Sequence, residues 1–280
     1  MRKRQKENSS VASFQYLKVF LLGVVILIFV ALGMRAFTYI QESTFVGDHF
    51  VFLVISSEWY LVAIDRQQAQ VNVVKLNNVK FDANWRVEKL SYEIGIPIDA
   101  VIHLRNKKTF GHFYPEFFSS NMLSRMVSRA EPFSLEGANT FDLLKIYFAA
   151  LSSRVQNERV LSFAQDKSGE VSGEVDEIFS LFISDSRLKT ENVSIEVVNS
   201  SGINGVGKRV AKLLTRFGFH VVSVTSSEVR FPSQITFRAQ KNYTVERLVQ
   251  IFHLPSFYSS GNAIADVTIV IGADYVEKIK

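Results

Sequence analysis

The chain has 280 residues, 47% of them apolar and 21% charged, which is the composition of folded globular matter on the scale of about two domains. It has no cysteine, and that excludes disulfides, thiolate zinc sites, iron–sulfur clusters and cysteine nucleophiles. The net charge of +5 is local: Arg2, Lys3, Arg4, Lys6 and Lys18 stand against Glu7, Arg35 adds one charge, and the rest is neutral, without the basic excess of a nucleic-acid-binding face.

Beside those cations lies Val19–Met34, VFLLGVVILIFVALGM, sixteen residues without a charge. As a helix it would run roughly 24 Å. Tyr16, Leu17, Ala36 and Phe37 extend it to about the 30 Å of a bilayer core. Lys18 and Arg35 sit at its ends, where long cationic side chains reach the headgroups. A buried soluble helix would show a polar face. A cleaved signal peptide would have a shorter apolar region and end in a small-x-small site. The expectation is an uncleaved signal anchor over 19–37, with 1–18 a basic cytoplasmic tail by the positive-inside rule and the later residues outside the cytoplasmic membrane.

After a short connector, IQESTFVGDH, three strand-like runs follow at Phe50–Ile55, Tyr60–Ile64 and Val71–Leu76. The polar segment Asp65–Gln70 is of hairpin size. Val87, Leu90 and Ile94 predict a helix near Trp85–Glu93, with Gly95 as its C-cap, and Ala100–Leu104 is a further strand. Tyr114–Arg129 and Thr140–Arg154 read as helices separated by Pro132 and Gly137. Asp166–Gly173 reads as a loop, and the charged stretch Asp185–Glu191 as the linker to a second domain. The class is α/β, with α+β the alternative for the first outer domain, and the boundaries are 45–185 and 192–280.

The second domain alternates clearly. Val193–Val198 is a strand, Asn199–Gly207 a glycine-containing loop, and Val206–Phe217 an amphipathic helix ended by Gly218. Phe219–Val224, Gln234–Phe237 and Asp266–Ile271 are strands, and Tyr243–Phe252 is a helix stopped by Pro255. This is a small βαβ-type module, expected as a four-stranded sheet with two helices and a parallel first pair.

Few chemical motifs stand out. Gly202 to Lys208 fits G-x-x-x-x-G-K between strand and helix, so Gly202, Gly205, Gly207, Lys208 and Arg209 are candidates for binding an anion or nucleotide. Arg209 stands where magnesium binding needs Ser or Thr, which favours a structural glycine loop. Asp274, after an apolar strand, reads as a turn or cap residue. His49, His103, His112, His220 and His253 have no ligand spacing, and no metal or cofactor is expected; His220 and His253 read as half-buried structural residues. FGHFYPEFF at Phe110–Phe118 is either core or a contact patch.

IEVVNSSGINGVGKRVAKLLTRFGFHVVSV, SQITFRAQKN and the closing DVTIVIGADY resemble, in order, the C-terminal domain of LytR-CpsA-Psr proteins of bacterial cell envelopes, over about 192–276. YLVAIDRQQAQVNVVKL and VEKLSYEIGIPIDAVIHL resemble, more faintly, the early hairpin and the helix–strand segment of that family's catalytic domain. The resemblance implies transfer of polyprenyl-pyrophosphate-linked glycopolymer to the wall, by an Arg-Asp pair after the hairpin strand, an aspartate after the first strand, and further arginines. Here the hairpin strand is followed by Asn77-Asn78-Val79-Lys80 and the first strand by Ser56-Ser57-Glu58, so no catalytic residue carries over. The expectation is therefore a non-catalytic binding or scaffold protein of wall assembly. Its partners would be the bilayer and glycopolymer or envelope proteins, with no nucleic acid. The alternative is a divergent phosphotransferase, which would need Arg66, Arg86 and Arg105 to converge.

Overall fold

The computed structural model describes residues 18, 20–31, 33–34, 37–38, 48–77, 79, 82, 85–104, 110, 112–119, 133–162, 173–228, 231–261 and 264–279. Residues 1–43 form one unit and 44–280 another. In the first unit residues 20–31 are helical, and the side chains of Phe20, Leu21, Leu22 and Val25–Val30 are exposed. Among the described residues no helix is long and apolar enough to cross a membrane. Of the predicted cytoplasmic tail only Lys18 is described, and of the connector only Asp48 and His49, the latter already in the first strand.

The second unit holds two sheets. Strands β1 (His49–Ile55), β2 (Trp59–Asp65), β3 (Gln70–Asn77), β4 (Ala100–Leu104), β5 (Phe133–Glu136) and β6 (Val155–Ser162) build the first, in the order β5-β4-β1-β2-β3-β6. The β1–β2 and β2–β3 pairs are antiparallel hairpins, whereas β1–β4 and β3–β6 are parallel. Successive side chains of a strand point to opposite faces. Val51, Leu53 and Ile55 accordingly enter one apolar core, and Phe50, Phe52 and Val54 enter the other. Burial on both faces is why β1 reads as an unbroken apolar run rather than an alternation.

The helices of this part are α1 (Val87–Ile94), α2 (Phe113–Phe117), α3 (Thr140–Ser152) and α4 (Gly173–Phe182). Gly95 ends α1 at φ 77°, as its predicted C-cap role requires. Asn139 and Asp142 form a reciprocal capping box at the start of α3. The helix predicted at Tyr114–Arg129 ends instead at Phe117, with Phe118 as its C-cap, while 120–129 and most of the predicted loop Asp166–Gly173 fall outside the described residues.

The second sheet has the order β10-β9-β11-β7-β8, from β7 (Ser194–Asn199), β8 (His220–Ser226), β9 (Gln234–Phe237), β10 (Ser256–Tyr258) and β11 (Val267–Ile271). The β7–β8 pair is parallel, as the strand–loop–helix–strand pattern implies. Three helices accompany this sheet: α6 (Val206–Phe217), α7 (Tyr243–Phe252) and α8 (Ala273–Ile279). Two expectations are corrected here. The sheet has five strands rather than four, because the three-residue β10 is too short to show a period, and a third helix, α8, follows β11. The supposed linker Asp185–Glu191 is a helix, α5 (Ser186–Glu191), capped by the buried Asp185 and anchored by the buried Leu188.

The core facing Val51 and Leu53 does not stop at residue 185. It continues through Leu90, Ile94, Phe179 and Leu188 into Ile195, Val197, Leu214 and Phe217 of the second sheet and α6.

Candidate functional site

The loop singled out by its glycines lies between β7 and α6. Buried Asn199 organises it: Oδ1 accepts from Ser201 N at 3.2 Å and Ser201 Oγ at 2.7 Å, and Nδ2 donates to Ile203 O at 2.9 Å. Ile203 N donates to Ser201 Oγ at 3.2 Å, so the loop's polar groups largely satisfy one another. Gly202 and Gly205 adopt φ 75° and 84°. At Gly207 a Cβ would sit 3.0 Å from Asn199 Cβ and 3.4 Å from Val224 Cγ1, so its glycine lets α6 lie close on β7 and β8. Lys208 is exposed. Arg209 turns to Glu93, at 3.9 Å, and to the Tyr92 ring, at 4.9 Å. The five candidates share one turn of chain, but the two cations do not converge.

The ends of β1 and β3 are where the resemblance would put catalytic groups. There Glu58 Oε1 lies 2.6 Å from Lys75 Nζ, and Tyr60 Oη donates to Glu58 Oε2. Lys75 and Tyr60 together hold the Glu58 carboxyl below its usual range, while burial and Glu58 push the Tyr60 phenol up. Arg66 and Arg86 are both exposed, Arg66 in the β2–β3 turn and Arg86 ahead of α1, where it lies 3.8 Å from Glu88. Arg105 is outside the described residues. Phe110, Phe113, Phe117 and Phe118 are buried. Phe113 stacks on Tyr60 at 4.4 Å and on Phe117 at 4.8 Å, so this aromatic run is core.

Asp274 Oδ1 accepts from Ser233 N at 3.0 Å and Ser233 Oγ at 2.6 Å, the turn-holding role expected of it. His220 and His253 are exposed rather than half-buried: His220 opens an edge strand, and His253 is the left-handed C-cap of α7 at φ 50°. Among the described residues no group of three or more His, Asp or Glu is placed to hold a metal ion.

The densest polar chemistry was not singled out from sequence. It lies where the first sheet meets α5, α6 and α7. Arg247 Nη1 and Nη2 donate to Asp99 Oδ1 and Oδ2 at 2.7 and 2.8 Å, with side chains only 0% and 2% exposed. Asp99 Oδ2 also accepts from Val51 N at 2.7 Å, and Arg247 Nη1 donates to Gln250 Oε1 at 2.7 Å. The guanidinium lies 5.1 Å from the Phe217 ring, a cation–π contact, and Arg247 Nε has no hydrogen-bond partner among the described residues. Burial opposes the charge on Arg247, but Asp99 outweighs it and raises the pKa.

Four residues earlier the same segment is held again. Arg216 Nη1 donates to Gly95 O at 3.3 Å, and its Nε donates to Asp176 Oδ1 at 2.5 Å. Gly95 adopts φ 77°, which favours glycine, and a Cβ there would displace the Arg216 guanidinium from its place against this segment. Thus Gly95-Ile-Pro-Ile-Asp99 is fastened at one end to α6 and at the other to α7. Nearby, Tyr243 Oη donates to Asp185 Oδ2 at 2.5 Å. His49 is buried edge-on to Phe217 at 5.2 Å, and burial first, then Arg247, lower its pKa to about 4.

Residues 192–275 match the family described as LytR cell envelope-related transcriptional attenuator, and so carry its C-terminal LytR-type domain. No curated protein matches the chain. Among solved structures, the Lin1025 protein of Listeria innocua is 12% identical over 48% of this chain and 97% of its own, with a TM-score of 0.31. B. subtilis TagT is 10% identical over 47% of this chain and 88% of its own, with a TM-score of 0.28. TagT bound to LIIa-WTA is 9% identical over the same shares, also with a TM-score of 0.28.

Two outcomes follow from the buried junction. Arg247→Met leaves Asp99 buried without its cation and should cost about 3–5 kcal/mol in urea unfolding. Adding Asp99→Asn, whose amide oxygen still accepts from Val51 N, should recover most of that loss; strictly additive losses would contradict the pairing. Second, the folded chain keeps His49 neutral down to about pH 4, whereas an unfolded histidine protonates near its ordinary value of 6.5. Unfolding therefore takes up a proton between these values, so the contribution is whole above about 6.5 and lost as pH falls through 4. It amounts to roughly 3 kcal/mol. His49→Gln should flatten the pH 4–7 dependence of urea stability, and an unchanged slope would contradict a buried neutral His49.

Proposed function

We propose that the chain is a membrane-anchored protein of the bacterial cell envelope that binds or scaffolds wall glycopolymer, or the envelope proteins that handle it, without transferring the polymer. Its N-terminus is cytoplasmic and its two sheets are extracytoplasmic. The LytR-type domain at 192–275 supports the envelope role. The apolar run 19–34 behind a basic tail supports the anchoring. One observation carries the non-catalytic reading: the carboxylate at the end of β1 is closed onto Lys75 and Tyr60. Pyrophosphate chemistry instead needs convergent cations and carboxylates free to hold a metal.

The test uses the full chain in phospholipid vesicles supplied with polyprenyl-pyrophosphate-linked glycopolymer and purified wall fragments. The chain should float with the vesicles, retain glycopolymer or wall fragments on them, and transfer no polymer above a protein-free blank. Retention should survive Lys208→Ala. Transfer above the blank would overturn the reading in favour of a divergent phosphotransferase, and loss of retention in Lys208→Ala would move the binding site to the Gly202–Lys208 loop.

A further inference from the structure

The second sheet has one face in the core and one outside it. Ile195, Val197, Ile235, Ile269 and Ile271 enter the apolar core together with α6 and α7. The residues between them along each strand point the opposite way, and none of these belongs to either core. The strand register sets them in rows across the sheet. One row, Phe257–Thr236–Thr268–Glu196–Ser223, passes through all five strands. The next holds Gln234, Val270, Val198 and Thr225. At a strand spacing of about 4.8 Å the first row is roughly 19 Å long. Phe257 ends it and is 52% exposed. Thr236 Oγ1 donates to Thr268 O at 3.5 Å, and Thr225 Oγ1 donates to Glu196 Oε1 at 3.1 Å.

We propose that this face seats an uncharged glycan strand of the wall, with one pyranose ring on Phe257 and the sugar hydroxyls along the threonine row. The proposal rests on the wall-binding reading above and gives it a surface and a ligand class. Charge selects the occupant. The two rows contain no lysine or arginine, and their one acid, Glu196, would repel a phosphate-bearing polymer or an anionic lipid surface. Arg238, at the rim, has Asp266 as its counter-charge. Hydroxyl and amide side chains both donate and accept, which matches a polyol whose hydroxyls do the same. An exposed ring offers apolar area to the C–H face of a sugar. A protein partner fits less well, because protein interfaces have an apolar centre depleted of charge. The centre here is Thr268 beside Glu196, and of the two valines Val270 is itself buried.

The test is co-sedimentation of the full chain, in detergent, with purified wall fragments, either untreated or cleared of phosphodiester-linked polymer. The parent should bind the cleared fragments. Phe257→Ala and Thr268→Val should each weaken that binding about fivefold, and Thr268→Ser, which keeps the hydroxyl, should stay within about twofold of the parent. Binding of cleared fragments that both Phe257→Ala and Thr268→Val leave unchanged would overturn this site and leave the wall-binding reading standing. Binding of untreated fragments alone would overturn the uncharged ligand. Binding of neither would overturn the site and the wall-binding reading together. An equal loss in Thr268→Ser and Thr268→Val would trace the effect to folding rather than to the hydroxyl, and would overturn the proposal. Self-association that Phe257→Ala abolishes while binding stays unchanged would assign the face to a second copy, and would equally overturn it.

Discussion

The second unit depends on a buried ion pair between residues 148 positions apart, Asp99 and Arg247. Two charges removed from water are costly to hold together, and the pair is supported by its bidentate geometry and by one further hydrogen bond on each side, from Val51 N to Asp99 and from Arg247 to Gln250. Asp99 also holds the β1 backbone through Val51 N, and Arg247 lies against Phe217. With Arg216 on Gly95, the short Gly95–Asp99 segment of the first sheet is tied to two helices of the second. The apolar core runs through the same place without a gap. The LytR-type domain is therefore joined to the first sheet by an interior rather than by a tether.

That arrangement bears on function. The joint fixes the second sheet's loops relative to the first sheet, which suits the binding or scaffold role proposed above. The end of β1 fits the same picture. Glu58, Lys75 and Tyr60 neutralise one another, and the aromatic residues of α2 fill the space beneath them as packed core. The glycines of the β7–α6 loop serve close helix–strand packing, with Asn199 as the organiser.

Much of the fold was legible because local rules and tertiary packing agree. The two-sided burial of β1 and the αL positions at Gly95 and Gly218 all leave a periodic or punctuating mark. The elements that went unread lack such a mark. Strand β6, VQNERVLS, is a polar edge strand whose pairing with β3 comes from tertiary placement. Helix α5, SRLKTE, buries Leu188 alone and is held by Asp185, whose partner Tyr243 lies 58 residues away. The polar junction was invisible for a related reason. Asp99 and Arg247 each read as ordinary surface charges in their own helix or turn, and only the packing of two sheets makes them a pair. Gly95 and Asp99 did fall inside a recognisable motif, but the motif says nothing about which arginines they meet.

The claim that the two sheets form one cooperative body is tested most directly by native-state hydrogen exchange on the full chain. Amides of β1 and β7 should open with the same free energy and the same denaturant dependence, and both should weaken together in Arg247→Met. Opening of β1 amides at lower free energy, with β7 protection unchanged by that substitution, would show two independent domains and contradict the account.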